Sequence, residues 1–301
     1  MVPPGLRPAA GRAARVAPSA LAIGRDAAPG GPAPPPVPGA CDADAMQTPI
    51  SPKDRFVTVY GRKPVLEALA DPELTVDKVV LATNASGDSA GEILRAAKRR
   101  GVTVQRATAQ RVKVLAGNGR HDQGVLADVV ARRMRPLSLA LSEGPAPRTV
   151  LVLDGITTPA NVGMILRTAT AAGVEGIVMP RRGVAAIDPM VVKASAGVAF
   201  HAPVLRCATA AGAVEELAAE GYQVVGMQAS AHRSLFDLTL PDERVAFVLG
   251  GETEGISVDV HRQVTRWTRI PLGGGVESLN VASAAAVLCF ELVRRGLTHD
   301  G

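Results

Sequence analysis

From Phe56 onward the apolar positions fall into short blocks separated by polar, helix-forming text. A Val/Tyr-bearing run starting at Phe56 and apolar runs over 76–82, 102–106 and 125–130 have the length and β-branched content of strands, and 64–70 and 92–100 read as helices between them. That alternation predicts a small α/β unit over residues 53–132. A second series, over 148–301, opens on the almost unbroken apolar run 149–153 and continues near 176–180, 222–227 and 246–249, each block followed by helical text. Continuous apolar runs belong to strands covered on both faces, so this series predicts an open parallel α/β sheet. Pro189 directly after Asp188 marks a helix start, while Gly173, Gly197 and Gly221 stand where helices stop. The small-residue-rich stretch 281–295 reads as a closely packed helix ending at Gly296.

Two stretches belong to neither series. Residues 1–52 are rich in Ala, Pro, Gly and Arg with few large apolar side chains, too little buried surface to offset the entropy of ordering, so a disordered tail is expected. Its first 25 residues carry Arg7, Arg12, Arg15 and Arg25 and no acid, as organelle transit peptides do, but the Pro/Gly run 29–39 argues against a helix there. A bacterial cytoplasmic protein with an untargeted extension, or with its true start at Met46, is the preferred reading. Residues 133–147, with Pro136, Gly144, Pro145 and Pro147, read as a linker.

Composition narrows the classes. The chain has 301 residues, 47% hydrophobic and 20% charged, enough apolar material for about two domains. No run approaches the ~20 apolar residues that span a bilayer, and the Ala-rich stretch after 281 is broken by Glu291 and Arg294. A net charge of +5 favours a polyanionic partner without establishing one. Cys41, Cys207 and Cys289 are far apart, with neither metal-ligand nor disulfide-scaffold spacing, and no metal is expected.

In an open parallel sheet, ligands bind beyond the carboxyl ends of the strands. Three loops there carry chemistry. The first runs from Asp154-Gly155 through Pro159, Asn161 and Gly163 into a helix bearing Arg167. The second is Leu249-Gly250-Gly251-Glu252-Thr253-Glu254-Gly255-Ile256. The third runs from Ile270-Pro271-Leu272 through Gly273, Gly274 and Gly275 to Ser278-Leu279-Asn280. No Gly-x-Gly-x-x-Gly follows the strand at 149–153, and no Gly-x-x-x-x-Gly-Lys-Ser/Thr occurs, so nicotinamide-dependent and P-loop enzymes both lack their phosphate loop. Glycines at 250, 251, 255 and 273–275 permit positive φ and close approach of a flat ligand, although ordinary turns would use them too. On a helix starting near Asn161, the Arg167 Cα lies about 9 Å further along the axis, but helical side chains lean toward the N-terminus. Gly163 is expected to leave that path clear. A solvated arginine and an N-capping asparagine are the plainer alternatives.

These three segments, in this order, together with Lys193-Ala194-Ser195-Ala196-Gly197, resemble the signature motifs of the SpoU (TrmH-like) branch of the SPOUT RNA methyltransferases. The unit at 53–132, with His121-Asp122-Gln123-Gly124 before its last strand, is similar to that family's small RNA-binding domain. The resemblance implies an α/β fold whose C-terminal domain is a SPOUT trefoil knot, a homodimer, and methyl transfer from S-adenosylmethionine to a ribose 2′-hydroxyl of structured RNA. A guanosine of large-subunit ribosomal RNA is preferred, and transfer RNA is the alternative. It further implies that Arg167 engages the RNA phosphate and activates the hydroxyl, with Asn161, Glu252, Ser278 and Asn280 around the reacting groups. Leu249, Gly250, Gly251, Ile270, Leu272, Ser278 and Leu279 would hold the methyl donor. Two departures from the family pattern stand out: Thr253 is where glycine is usual, and Val281-Ala282-Ser283 replaces a commoner Val-Ser-Val. In the first unit Arg62, Lys63, Lys98, Arg99, Arg100, Arg106, Arg111, Lys113 and Arg120 form a basic set suited to RNA phosphates, or a solvated face. His121 reads as a local hydrogen-bonding residue. A non-catalytic RNA-binding protein on the same fold is the rival of another class.

Overall fold

Apolar blocks and breakers are arranged about two sheets in the computed structural model, which describes residues 51–117, 122–239 and 244–298. Residues 1–50 of the predicted tail, Met46 among them, lie outside the described residues, as do Arg120 and His121. The first sheet is built from β1 (Phe56–Tyr60), α1 (Arg62–Ala70), β2 (Val76–Ala82), α2 (Asp88–Arg100), β3 (Thr103–Ala107), α3 (Ala109–Ala116) and β4 (Val125–Val130). Its strand order is β1-β4-β2-β3, with β4 antiparallel to both neighbours and β2 parallel to β3. Val65, Ala68 and Leu69 of α1 and Ile93, Ala96 and Ala97 of α2 pack with Val57, Val79 and Leu81 on one face, and Val112 of α3 packs with Tyr60, Val80 and Leu126 on the other. The apolar pattern does not announce α3, because Val112 is its one buried residue while Val114 and Leu115 are exposed. Thr108 starts it, accepting a bond from the Arg111 amide at 3.2 Å.

The stretch read as a linker is structured. Arg135–Pro136 form β5 and Leu137–Ser142 form α4, with Leu137 and Ala140 buried in a core of the second sheet. Pro136 hides the strand from a sequence reading because it donates no ladder bond, and it is tolerated because β5 is an edge. The second sheet continues with β6 (Thr149–Asp154), α5 (Pro159–Ala171), β7 (Gly176–Pro180), α6 (Pro189–Ala194), β8 (Val204–Cys207), α7 (Ala210–Ala219), β9 (Gln223–Met227), β10 (Val245–Gly250), α8 (Val258–His261), β11 (Arg266–Thr268) and α9 (Val281–Arg294). All six pairings in the order β11-β9-β10-β6-β7-β8-β5 are parallel. All six residues of β6 are buried, as its unbroken apolar text requires. Asp188 caps α6, accepting from the Met190 and Val191 amides at 2.9 Å, and Gly173, Gly197 and Gly221 follow their helices with φ of 69°, 84° and 83°.

From β6 the chain moves to β7 and β8 on one side, then crosses to β9 on the other and returns to β10 beside β6. The switch point therefore lies between β6 and β10. Helix α9 packs against α5 above this junction. Its far end is tied down: Thr149 Oγ1 donates to the Leu297 carbonyl at 2.6 Å.

Glu291 anchors the other side of α9. Its buried carboxylate accepts two bonds from Arg294, both at 2.7 Å, and one from Arg295 Nε at 2.6 Å. Arg295 in turn donates to the carbonyls of Leu235, Phe236 and Leu238. The Arg294 bonds, and the Arg295 bond acting against burial, push the Glu291 carboxyl down to about 2. A carboxyl lowered in the folded state stabilises above its unfolded value, about 4.3, and loses that contribution as pH falls toward 2. Glu291→Gln is accordingly expected to lower the melting temperature by a few degrees at pH 7. The gap to wild type should close between about pH 5 and pH 2, as measured by thermal unfolding across that range.

Candidate active site

The loops leaving β6 and β10 are locked together by backbone. Gly251 and Gly255 exchange amide-to-carbonyl bonds of 3.0 Å in both directions, folding the second motif into a tight hairpin. The Ser257 amide donates to Asp154 Oδ2 at 2.7 Å, tying that hairpin to the end of β6. A Cβ at Gly250 would lie 2.3 Å from the Gly255 carbonyl carbon, and one at Gly251 would lie 2.4 Å from the Gly155 oxygen. Backbone thus presses on the Cβ side of both glycines, at Gly250 from its own hairpin and at Gly251 from the loop after β6. Positive φ is found at Gly255, Gly274 and Gly275. Thr253 fits the hairpin with an ordinary φ, since Gln123 and Ala196 alone among described non-glycine residues have positive values.

Asn280 links the three loops. As the N-cap of α9, its Oδ1 accepts from the Ala282 amide at 2.9 Å and the Ser283 amide at 3.3 Å. Its Nδ2 donates to Asn161 Oδ1 at 3.0 Å and Glu252 Oε1 at 2.6 Å. Asn161 is buried in the first turn of α5, which begins at Pro159, near Asn161 as expected; its N-cap is Thr158, so the N-cap alternative for Asn161 does not hold. The cluster uses both ends of the Asn280 amide. Aspartate would cap the helix as well but would lose the donor, and serine has one O–H where Asn280 donates twice.

Arg167 does not join this cluster. It is exposed on α5 and makes no hydrogen bond or ion pair within the described residues. The route expected for it over Gly163 is closed: a Cβ at Gly163 would lie 2.5 Å from Ala194 Cβ and 2.7 Å from the Val191 oxygen, so this glycine lets α6 press against α5. Ala160, Met164 and Arg167 instead share the exposed stripe of α5 at helical spacing. A side chain leaning toward the N-terminus follows that stripe to the start of the helix.

Beyond the carboxyl ends of β9, β10 and β11 opens a cavity of about 590 Å³. Leu249, Gly250, Gly251, Ile270, Leu272, Ser278 and Leu279 all line it, as do Glu252 and Asn280. Sequence reasoning missed Met227, Gln228 and Ala229 after β9, and the wall made by Trp267 and His261, whose ring centroids lie 4.4 Å apart. The indole of Trp267 rests on Gly226 of the neighbouring strand, where a Cβ would come within 2.5 Å. The loop after 222–227 was open to the same carboxyl-end rule, but its closeness to the second motif depends on strand order. A cavity of this size, with Leu249, Ile270 and Leu279 beside loop backbone and polar side chains, suits a nucleoside carrying a short polar arm. Among the described residues no three His, Cys, Asp or Glu side chains stand together as a metal site, and no helix is long and apolar enough to cross a membrane.

A glycine-lined cavity at the carboxyl edge of a parallel sheet, in a chain that also carries a small α/β unit, defines an α/β enzyme that handles a nucleoside-like ligand. Residues 148–290 match the SpoU rRNA methylase family, and residues 58–135 match the substrate-binding domain of RNA 2′-O-ribose methyltransferases. The 23S rRNA (guanosine-2′-O-)-methyltransferase RlmB of Xylella fastidiosa is 33% identical over 240 residues, 79% of this chain and 96% of that protein. A Staphylococcus saprophyticus protein assigned to the TrmH family of tRNA/rRNA methyltransferases is 32% identical over 244 residues, again 79% and 96%. In fold, the chain is similar to the S-adenosylmethionine-bound rRNA methyltransferase of Sinorhizobium meliloti, with a TM-score of 0.55 at 24% identity, over 82% of this chain and 89% of that one. The chain belongs to the SpoU rRNA methylase family. It is an S-adenosylmethionine-dependent RNA 2′-O-ribose methyltransferase, and the residues around its cavity fit that methyl donor.

Proposed function

We propose that this enzyme methylates the 2′-hydroxyl of a guanosine in large-subunit ribosomal RNA, in the cytoplasm, with the unit at 53–132 gripping the RNA. The similarity to RlmB over 79% of the chain carries the choice of substrate. Bound S-adenosylmethionine supplies an electrophilic methyl group. Arg167, exposed on the stripe of α5 that runs back to the helix start, donates hydrogen bonds to the ribose oxygen as charge develops there, and the proton leaves through the adjoining substrate phosphate. Asn280, held between Asn161 and Glu252, fixes the third loop so that Ser278 and Leu279 keep their place against the donor. Of the basic set, Arg62, Lys63, Lys98, Arg99, Arg111 and Lys113 are exposed and available to phosphates. Arg100 is committed to the carbonyls of Asp71 and Leu74, at 2.9 and 2.6 Å. The chain pairs as a homodimer through the uncovered face of α9, where Phe290 and Val293 are exposed. Its segment from Ile270 through α9 forms the trefoil knot.

Mapping ribose methylation in cellular RNA with and without the gene tests this reading. Loss of one mark on a large-subunit rRNA guanosine is expected. Loss of a transfer-RNA mark instead would move the substrate, and an unchanged methylation map would remove the proposal.

A further inference from the structure

The carboxyl edge of the second sheet carries a group of charges that the methyl-transfer site does not use. Arg181, the residue after β7, continues the ladder by donating its amide to the Cys207 carbonyl at 3.0 Å, and its guanidinium donates to both carboxylate oxygens of Asp54. Asp54 comes from the turn just before β1 and is 3% exposed, so this ion pair sits on the seam between the small unit and the second sheet. Arg206 stands beside it on β8, in register with Met179 and Pro136. Strand alternation puts Arg206 on the same face as Val204, which packs with the core that also holds residues of the small unit. Its Nε is shielded from solvent and has no hydrogen-bond partner among the described residues. Burial, and then the positive charge of Arg181, disfavour its charged form, while Asp54 supports it.

Asp54 is bonded to Arg181 alone and acts on Arg206 only through space, so two guanidinium groups face one carboxylate in a partly dry seam and one positive charge is left uncompensated. Such a charge calls for an anion. The side chain of Arg181 is 38% exposed and Arg182 beside it is exposed, so the group is open on one side. Planar forks of this kind bind phosphate oxygens two at a time. The position suits the polyanion this family acts on: β8 is two strands from β6, about 10 Å, along the edge that bears the candidate active site. We infer that Arg181 and Arg206 form a binding site for a backbone phosphate of the substrate RNA flanking the target nucleotide, with Asp54 competing with that phosphate for Arg181. This rests on the reading of the chain as an RNA-modifying enzyme, and assigns a contact outside both the basic set of the first unit and Arg167.

The test is filter binding of protein-free 23S rRNA transcript to the full chain over about 50–200 mM KCl. Each phosphate contact contributes close to one unit to the slope of log affinity against log salt. Arg206→Gln should reduce that slope by about 1, and Arg206→Lys should retain it. Asp54→Asn, which frees Arg181 from its ion pair, should tighten binding at low salt. A merely structural latch predicts the opposite sign for Asp54→Asn, with affinity falling in step with melting temperature. Thermal melting and S-adenosylmethionine titration confirm that each variant is folded. An Arg206→Gln slope equal to that of wild type, or weaker binding by Asp54→Asn, overturns the phosphate site alone. Wild-type protein that binds no RNA would overturn the RNA reading and this site together.

Discussion

Replacing Arg167 with alanine is expected to cut methyl transfer by about 10²–10³-fold, the usual loss when a single donor to a developing oxyanion is removed, and to leave S-adenosylmethionine affinity nearly unchanged. The separation follows from position. Arg167 lies on the exposed stripe of α5, outside the cavity whose walls come from the loops after β9, β10 and β11. The sole tryptophan, Trp267, lines that cavity against His261, so its fluorescence reports occupancy of the donor site independently of turnover. The variant should show a wild-type fluorescence titration and a collapsed rate constant under saturating RNA. Arg167→Lys should recover little, because a point charge does not reproduce the planar fork. Wild-type turnover in the alanine variant would remove Arg167 from the chemistry.

The second large effect is expected from one methyl group. Gly250→Ala places a Cβ 2.3 Å from the Gly255 carbonyl carbon and 2.4 Å from the Ile256 nitrogen, and both neighbours are backbone that cannot swing aside. The hairpin of the second motif must open, which breaks the paired Gly251 and Gly255 bonds and shifts Glu252 away from Asn280. Overpacking of this kind costs about 1–3 kcal/mol of stability. The larger loss should be in donor binding, since Leu249, Gly250 and Gly251 all line the cavity. Calorimetry should find no S-adenosylmethionine binding at concentrations that saturate wild type, with a lowered melting temperature. Unchanged affinity would show that the donor does not depend on this loop's path.

The elements that the sequence made legible are those whose burial leaves a continuous or strictly periodic apolar trace. Strand β6, buried at all six positions, is one, and β2, β4 and β7 match their predicted limits. Strands with little trace were missed. Arg135–Pro136 and Arg266–Thr268 are short edge strands rich in polar residues or proline, and in β8 the two apolar residues are followed by Arg206. The site divides in the same way. Residues within one loop were legible because their spacing is local, and so Leu249, Gly250 and Leu279 appear around one cavity. Contacts that depend on strand order were not. Nothing local says that β9 lies beside β10, that Trp267 rests on Gly226, or that the glycine expected to clear a path for Arg167 is spent on α6.

The adjacency of β6 and β10 also sets a tempo. Two neighbouring parallel strands that are joined only after the chain has visited β7, β8 and β9 cannot zip from a turn, and the bond from Thr149 to Leu297 closes a loop of 148 positions. Chains dominated by such distant pairings cross their folding barrier slowly, because loop entropy is lost before the contacts form. A molecule in which β10 is not yet docked beside β6 lacks the bond from Ser257 to Asp154 that ties down the second-motif hairpin, and with it a fixed wall for the cavity.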